Sequence, residues 1–197
     1  DNFYAAWLGS EDGSDLRLVA EDLDGDWGTA EDAEVEVASG EHLFVAAWEL
    51  TGDSGSPQML IGEVDLPGGL MGTNATDWAW VLGAAGDNPG GLPGGTLPEP
   101  AALAGLVADA DADAAWALPA VDLAASGSPW GGTLAGAFSV GRYIWPDTFG
   151  SDSITNVDDT FVLFRSIDPL TGGASSLDVD PIPVRTRLRT AFAYLGT

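Results

Sequence analysis

VRTRLRTAFAY, residues 184–194, alternates between two kinds of side chain along its length. Arg185, Arg187 and Arg189 recur at every second position, while Leu188 and its even-numbered neighbours are apolar or neutral. This two-residue period predicts a β-strand with one charged face and one apolar face. Such a strand must pair with other strands, so it closes its own sheet or enters the sheet of a neighbouring subunit.

The charge distribution supports a separate role for this segment. Residues 181–197 carry three arginines and no acid, while residues 1–180 carry all 31 acidic residues and the other three arginines. The net charge of -25 therefore divides into about -28 for the body and +3 for the end. We expect the arginine strand to lie against an acidic surface. The same negative charge repels phosphate backbones and argues against nucleic-acid binding.

Composition narrows the chemistry further. With 197 residues, 45% hydrophobic content and eight tryptophans, the chain is long and apolar enough to build a substantial core. It has no cysteine and a single histidine, His42, which excludes disulfides and the usual zinc sites. Oxygen ligands remain, so calcium is the metal to expect if one is bound. No nucleophile and base pattern is present, and enzymatic activity is not expected.

Short strand-like runs dominate the rest of the sequence, and 27 glycines with 12 prolines interrupt most helical patterns. Nine or so strands separated by turns predict an all-β fold, an antiparallel β-sandwich with long Gly/Pro-rich loops. Residues 84–141 are expected to be loops anchored by Trp116 and Trp130, with one short helix over Glu99–Leu106. The predicted strands are 3–8, 16–20, 33–37, 43–49, 58–64, 78–82, 143–145, 160–165 and the arginine segment.

Several short sequence motifs occur between residues 1 and 165, each once, in an order that is familiar from a known family. They are Asp1-Asn2-Phe3-Tyr4, Asp26-Trp27, Val35 to Val45 with Ser39-Gly40-Glu41-His42, Thr76-Asp77-Trp78, Trp116, Pro129-Trp130, Tyr143-Ile144-Trp145, and Asp158-Asp159-Thr160-Phe161 running to Phe164-Arg165. This order resembles the galactose-binding-like β-sandwich (jelly-roll) modules of secreted and surface proteins of bacteria. The resemblance implies an extracellular or cell-surface location, and a role as a sugar-binding module, an adhesion module or a spacer.

In that family a strand normally precedes the segment that matches Asp1-Asn2, and here the sequence starts at Asp1. The arginine segment has the composition expected of that strand. We therefore divide the chain into a sandwich, residues 1–183, and a C-terminal strand, residues 184–197, which fills the gap in its own subunit or in the next one. The second option gives a head-to-tail contact that does not close.

Two groups of residues are candidate ligand sites. Asp22, Asp24 and Asp26 occupy every second position, with Gly25 between the last two, like the start of a calcium loop, although a solvated acidic turn is the favoured interpretation. A second acidic run, 109–113, is expected to be a solvated loop. The tryptophans placed in loops could stack on sugar rings, although packing over the sandwich edge is the favoured interpretation; they are Trp27, Trp116 and Trp130.

The sequence therefore favours a non-enzymatic extracellular structural subunit that self-assembles head-to-tail, as a filament or surface layer, with copies of itself as partners. No apolar run is long enough to span a membrane. The alternative is a calcium-dependent, lectin-like carbohydrate-binding module with glycans as partners. The residues expected to form the assembly contact are Arg185, Arg187, Leu188, Arg189, Phe192 and Tyr194.

Overall fold

The computed structural model describes residues 2–23, 30–49, 59–66, 68–90, 96–125, 137–146, 160–170 and 184–193. Within these ranges the chain forms eleven strands and one helix, α1 (Pro100–Ala112). The strands are β1 (Asn2–Gly9), β2 (Arg17–Asp22), β3 (Glu31–Val37), β4 (His42–Glu49), β5 (Met59–Leu66), β6 (Gly69–Gly72), β7 (Trp78–Leu82), β8 (Val121–Ala124), β9 (Arg142–Trp145), β10 (Val162–Ser166) and β11 (Val184–Ala193).

The strands form two antiparallel sheets. In the described part of the chain the first sheet has five strands, in the order β2-β1-β4-β10-β7. The second has six, in the order β3-β11-β5-β9-β8, with β6 paired to β5. Side chains from both sheets share one apolar cluster that includes Leu8, Val45, Leu60 and Phe164. The predicted antiparallel β-sandwich is therefore confirmed.

Strand β1 shows why the sequence of a strand in the first sheet is a continuous apolar run. Its even-numbered side chains, such as Tyr4 and Leu8, enter the cluster between the sheets. Its odd-numbered side chains, such as Phe3 and Trp7, belong to a second cluster on the outer face. Because both faces of the strand are buried, its sequence shows no apolar and polar alternation.

Helix α1 covers that outer face. Leu103, Val107 and Ala110 point into the second cluster and are at most 2% exposed. The helix begins with Pro100 directly after Glu99, a position where the missing N–H of proline has no partner to lose. It ends at Ala112 with Asp113 as its C-cap, and the residue after the cap, Ala114, has a positive φ of 51°.

The structure of residues 84–141 differs from the prediction, because the helix is longer than expected and an additional strand is present. The predicted helix over Glu99–Leu106 continues to Ala112, so the acidic run 109–113 forms the last helical turn and its cap rather than a loop. Strand β8 lies in the same stretch, and the four-residue β6 also escaped prediction. The four-residue β9 was predicted from its aromatic and β-branched run Tyr143-Ile144-Trp145. β6 and β8 instead contain glycine, aspartate and alanine, and only their pairing with β5 and β9 defines them.

Candidate functional site

The arginine strand β11 lies inside the second sheet of its own chain. It pairs with β3 from Val184↔Val37 to Thr190↔Glu31. It pairs with β5 from Arg187↔Asp65 to Ala193↔Met59. Residues 187–190 therefore have strand partners on both sides, which is the environment of a central strand and not of an edge.

The inner face of β11 is buried in the sandwich. Leu188 is 1% exposed and belongs to the cluster between the sheets. Thr186 and Thr190 flank it at 7% and 2% exposure, and the Thr186 hydroxyl donates to the backbone oxygen of Asp65. The backbone of Phe192 pairs with Leu60, while the side chain of Phe192 and the whole of Tyr194 lie outside the described residues.

The outer face of β11 bonds to acids of β3. Arg187 Nε and Arg189 Nε donate to the same oxygen, Asp32 Oδ1, at 2.9 and 2.8 Å. Arg185 Nε donates to Glu36 Oε1 at 3.1 Å. Hydrogen bonds from Arg189 and then Arg187 lower the pKa of Asp32 from its usual 3.8 to about 2. Asp32 is thus the carboxylate on which two of the three arginines converge.

Arg189 also connects β11 to a turn of the second sheet. Its partners in the two ladders are Asp32 on β3 and Glu63 on β5, so it has an acid on each side. Its guanidinium donates to the backbone oxygen of Ala137. Glu63 holds the same turn, since its Oε2 accepts backbone N–H bonds at 2.8, 3.1 and 3.4 Å from Ser139, Val140 and Gly141, respectively. Arg189 of β11 and its ladder partner Glu63 therefore both bond to the backbone of turn 137–141, so the position of β11 and the conformation of this turn depend on each other.

The candidate calcium residues are only partly within the described ranges. Asp22 ends β2, is 7% exposed and lies opposite Tyr4 in the β1–β2 ladder. Asp24 and Asp26 lie outside the described residues. Among the residues that are described, no three acidic or histidine side chains are close enough together to hold a metal ion.

Of the three candidate sugar-binding tryptophans, Trp116 is described and Trp27 and Trp130 are not. Trp116 Nε1 donates to Asp111 Oδ1 at 2.6 Å. The guanidinium of Arg165 lies 4.2 Å from the centre of its ring, and Arg165 also donates to the Glu11 backbone oxygen at 3.0 Å. One face of Trp116 is therefore covered by a cation from β10.

Sequence reasoning missed Asp32, Glu63 and Tyr4, which the fold places around β11. A signal for Asp32 was present, because the acids of β3 alternate with apolar residues as the arginines of β11 do. Two strands with matching periods and opposite charge suggest pairing. Their register, which brings two arginines to one carboxylate, follows only from the folded chain.

Comparison with known proteins gives no relative from which to transfer a function: no protein-family model, curated protein or solved structure matches the chain. Within the described ranges, no helix combines the length and apolar character needed to cross a bilayer.

Proposed function

We propose that this chain is a non-enzymatic extracellular structural subunit, a sandwich of the galactose-binding-like type, and that β11 is its assembly element. Copies join head-to-tail when β11 of one chain occupies the place between β3 and β5 of the next. The observation that carries the proposal is that β11 is a central strand paired with β3 and β5. A second copy of the chain has the same two strands and could form the same pairs with β11.

The contacts themselves make exchange energetically feasible. The two ladders, the burial of Leu188 and the bonds to Asp32 would be identical in the closed and exchanged forms. The free-energy difference between these forms then depends on the protein concentration and on the connection to β11, as in domain swapping. Residues 171–183 form that connection from the β10 side, and thirteen residues reach at most about 45 Å.

Charge supports the same arrangement. A chain of net charge -25 repels its copies, and β11 is the segment that carries positive charge without acids. Its arginines are opposite in charge to the acids of β3 and have the same spacing, with Arg185 opposite Glu36 and Arg187 opposite Glu34. Such complementarity favours this strand over other segments of the acidic chain as the occupant of the place beside β3.

Cysteine cross-linking tests the exchange directly, because the native chain has no cysteine. Glu36→Cys and Arg185→Cys are made in separate chains, which are mixed, unfolded in urea and refolded together at high concentration. The two positions are ladder partners, so a disulfide between the chains forms when β11 has moved from one to the other. We expect disulfide-linked dimers of the two variants on a non-reducing gel.

The matched control mixes Glu36→Cys with Asp109→Cys, an exposed position on α1 outside the β3–β11 ladder. This mixture reports random collision of exposed thiols. Equal dimer yields in the two mixtures, together with efficient cross-linking inside a chain that carries both Glu36→Cys and Arg185→Cys, would contradict strand exchange.

Negative-stain electron microscopy of the unmodified chain separates head-to-tail growth from a closed pair. Filaments or sheets are expected at high concentration. Uniform closed dimers would overturn the head-to-tail part of the proposal, because a reciprocal exchange leaves no free strand for growth.

A calcium-dependent carbohydrate-binding module is the second candidate, and the burial of Asp22 favours it. A carboxylate at 7% exposure, followed in sequence by Asp24 and Asp26, suits an oxygen-rich cation site better than a fully solvated turn does. Calorimetric titration with calcium should then give binding that Asp22→Asn weakens at least tenfold and Asp109→Asn leaves unchanged. No calcium binding, together with no calcium-dependent signal on a glycan array, would remove this candidate.

A further inference from the structure

The inner face of β11 carries two buried hydroxyl groups where a strand of this kind would ordinarily carry apolar side chains. Thr186 has a backbone acceptor in Asp65, as described above. Thr190 has a different environment. It is 2% exposed, it faces Gly62 across the β5 ladder, and its methyl group fills the space that a side chain at Gly62 would need, 3.2 Å from a Cβ placed there.

Tyr4 approaches Thr190 from the opposite sheet. Tyr4 is fully buried on the inner face of β1, and β1 and β11 are in contact across the sandwich. Burial raises the pKa of the Tyr4 phenol, while the Thr190 hydroxyl beside it lowers that pKa. Among the described residues neither hydroxyl forms a well-aligned hydrogen bond, but the Thr190 hydroxyl is close enough to the Tyr4 phenol to act on its pKa.

This arrangement distinguishes the observed register from its neighbours. Slipping β11 by two residues preserves its inner and outer faces, so alternation alone does not prevent it. In one direction the slip would place Leu188 where Thr190 now lies, opposite Glu31. The Tyr4 hydroxyl would then face a leucine, and a buried polar group without a polar neighbour is costly.

We infer that Tyr4 and Thr190 form a polar pair across the sandwich that fixes the register in which β11 is accepted. The pair acts on whichever copy supplies the strand. Its bearing on assembly therefore rests on the proposed function, while its action on β11 within one chain does not. Thr190 is then a specificity-determining residue. The place between β3 and β5 accepts a strand that has a hydroxyl group opposite Tyr4 and a leucine two residues earlier.

The register is read by two pairs of cysteines within single chains at low concentration. Glu36→Cys with Arg185→Cys reports the observed register, because these residues are ladder partners. Glu34→Cys with Arg185→Cys reports the slipped register that moves Leu188 to Tyr4. Both pairs leave Arg187, Arg189 and Asp32 in place. In the otherwise native chain we expect the first pair to cross-link and the second to cross-link poorly.

Thr190→Val and Tyr4→Phe are each introduced into both reporters. We expect the ratio of slipped to native cross-link to rise about tenfold in each, because either change removes the polar match. Thr190→Ser keeps the hydroxyl and should keep the native ratio. The double variant Tyr4→Phe with Thr190→Val should recover part of the stability lost in the single variants, since an apolar pair leaves no polar group unmatched.

Val121→Ala on β8 is the control for general destabilisation, because Val121 is 6% exposed in the same core but lies on a different strand pair. It should lower stability and leave the cross-link ratio unchanged. An unchanged ratio in both Thr190→Val and Tyr4→Phe would overturn the inference even if strand exchange occurs. A changed ratio without exchange between chains would uphold the inference and count against the proposed function alone.

Discussion

The protein uses arginine in two contrasting ways on the two sides of its sandwich. On β11, Arg185 and Arg187 have side chains that are 80% and 54% exposed, and their carboxylate partners are also solvated. On the helix side, the Arg165 side chain is 11% exposed, between the Trp116 ring and the backbone of Glu11. Both sites contain ion pairs, but the Arg165 side chain is largely shielded from water, although its carboxylate partner Asp111 is 42% exposed, whereas both partners of each strand-side pair are solvated.

Because of this difference, we expect the exposed arginines of β11 to contribute to the choice of pairing strand, and the buried Arg165 to contribute more to stability. Exposed ion pairs contribute about 0.2–1 kcal/mol each, because water and salt screen them and the long side chains lose freedom. They can still decide which strand lies beside β3. A buried arginine that stacks on tryptophan and saturates a backbone oxygen contributes through packing and desolvated bonds, so its removal costs more. The backbone ladders and Leu188, rather than the arginines, are expected to hold β11 in place.

Leu188→Ala is the largest expected perturbation of the strand side. Leu188 is 1% exposed in the main cluster, and truncating such a leucine lowers the free energy of unfolding by about 2–4 kcal/mol. Urea denaturation followed by tryptophan fluorescence measures the change. Leu18→Ala on β2, where the leucine is 46% exposed, serves as the control and should change stability by less than about 0.5 kcal/mol. Similar effects of the two substitutions would show that β11 is not held by its inner face.

Arg165→Ala should come next, with a loss of about 2 kcal/mol, because it removes the cation above Trp116 and a bond to the Glu11 oxygen. Arg185→Ala is the matched change on the strand side, and its exposed pair with Glu36 predicts a loss below about 0.5 kcal/mol. Equal losses in urea denaturation would break the comparison between the two arginine sites.

Asp32→Asn tests the strand-side pairs through pH. The folded-state pKa of about 2 lies below the usual 3.8, so Asp32 stabilises the folded chain fully above pH 3.8 and loses this contribution as the pH falls through about 2. We expect the variant to be less stable than the native chain by about 0.5–1 kcal/mol at pH 7, and the difference to shrink as the pH falls through about 2 and to disappear below it.

Thermal unfolding over this pH range measures that difference. Glu34→Gln removes the same charge from an exposed position of β3 and is the control. A deficit of Asp32→Asn that persists unchanged at pH 2 would mean that the carboxylate acts through packing rather than through its charge.

Ala114→Gly is expected to have an effect as small as that of Asp32→Asn, but of the opposite sign. Ala114 adopts a φ of 51° directly after α1, a conformation that glycine reaches without the steric cost of a Cβ. The substitution should stabilise the helix side by about 0.5–1 kcal/mol, observed as a higher midpoint of thermal unfolding. Ala102→Gly, inside the same helix, should instead destabilise by a similar amount. A loss of stability on Ala114→Gly would show that the helix end is not strained.

The sequence predicted most of the strands because their apolar runs are bounded by glycine and acidic turns. Nine predicted strands correspond to β1–β5, β7 and β9–β11, with ends that differ by no more than two residues when the arginine segment is taken as 184–194. The helix start was predicted to within one residue from the Ala-rich sequence that follows Pro98, but its end was not predicted. Its last turn carries acids that are unfavourable near a helix C-terminus, and contacts such as that of Asp111 with Arg165 help to offset this effect.

The candidate site was predicted in the same partial way. The charged face of β11 and the inward position of Leu188 follow from a two-residue period, which is a local property. Asp32 as a shared partner, Glu63 as the support of turn 137–141, and Tyr4 opposite Thr190 depend on residues far apart in sequence. Composition and spacing carry no information about such pairs without knowledge of strand order.

By itself, the sequence determined that this chain forms an antiparallel sandwich with a positively charged strand β11 in an acidic body. Strand periodicity and charge are local properties, which each residue and its near neighbours in sequence define. Only the tertiary structure decided that β11 lies between β3 and β5 of its own chain, in a register that joins Arg187 and Arg189 to Asp32. The physical reason is that backbone hydrogen bonds are the same for every register, so side-chain contacts between distant segments select one of them.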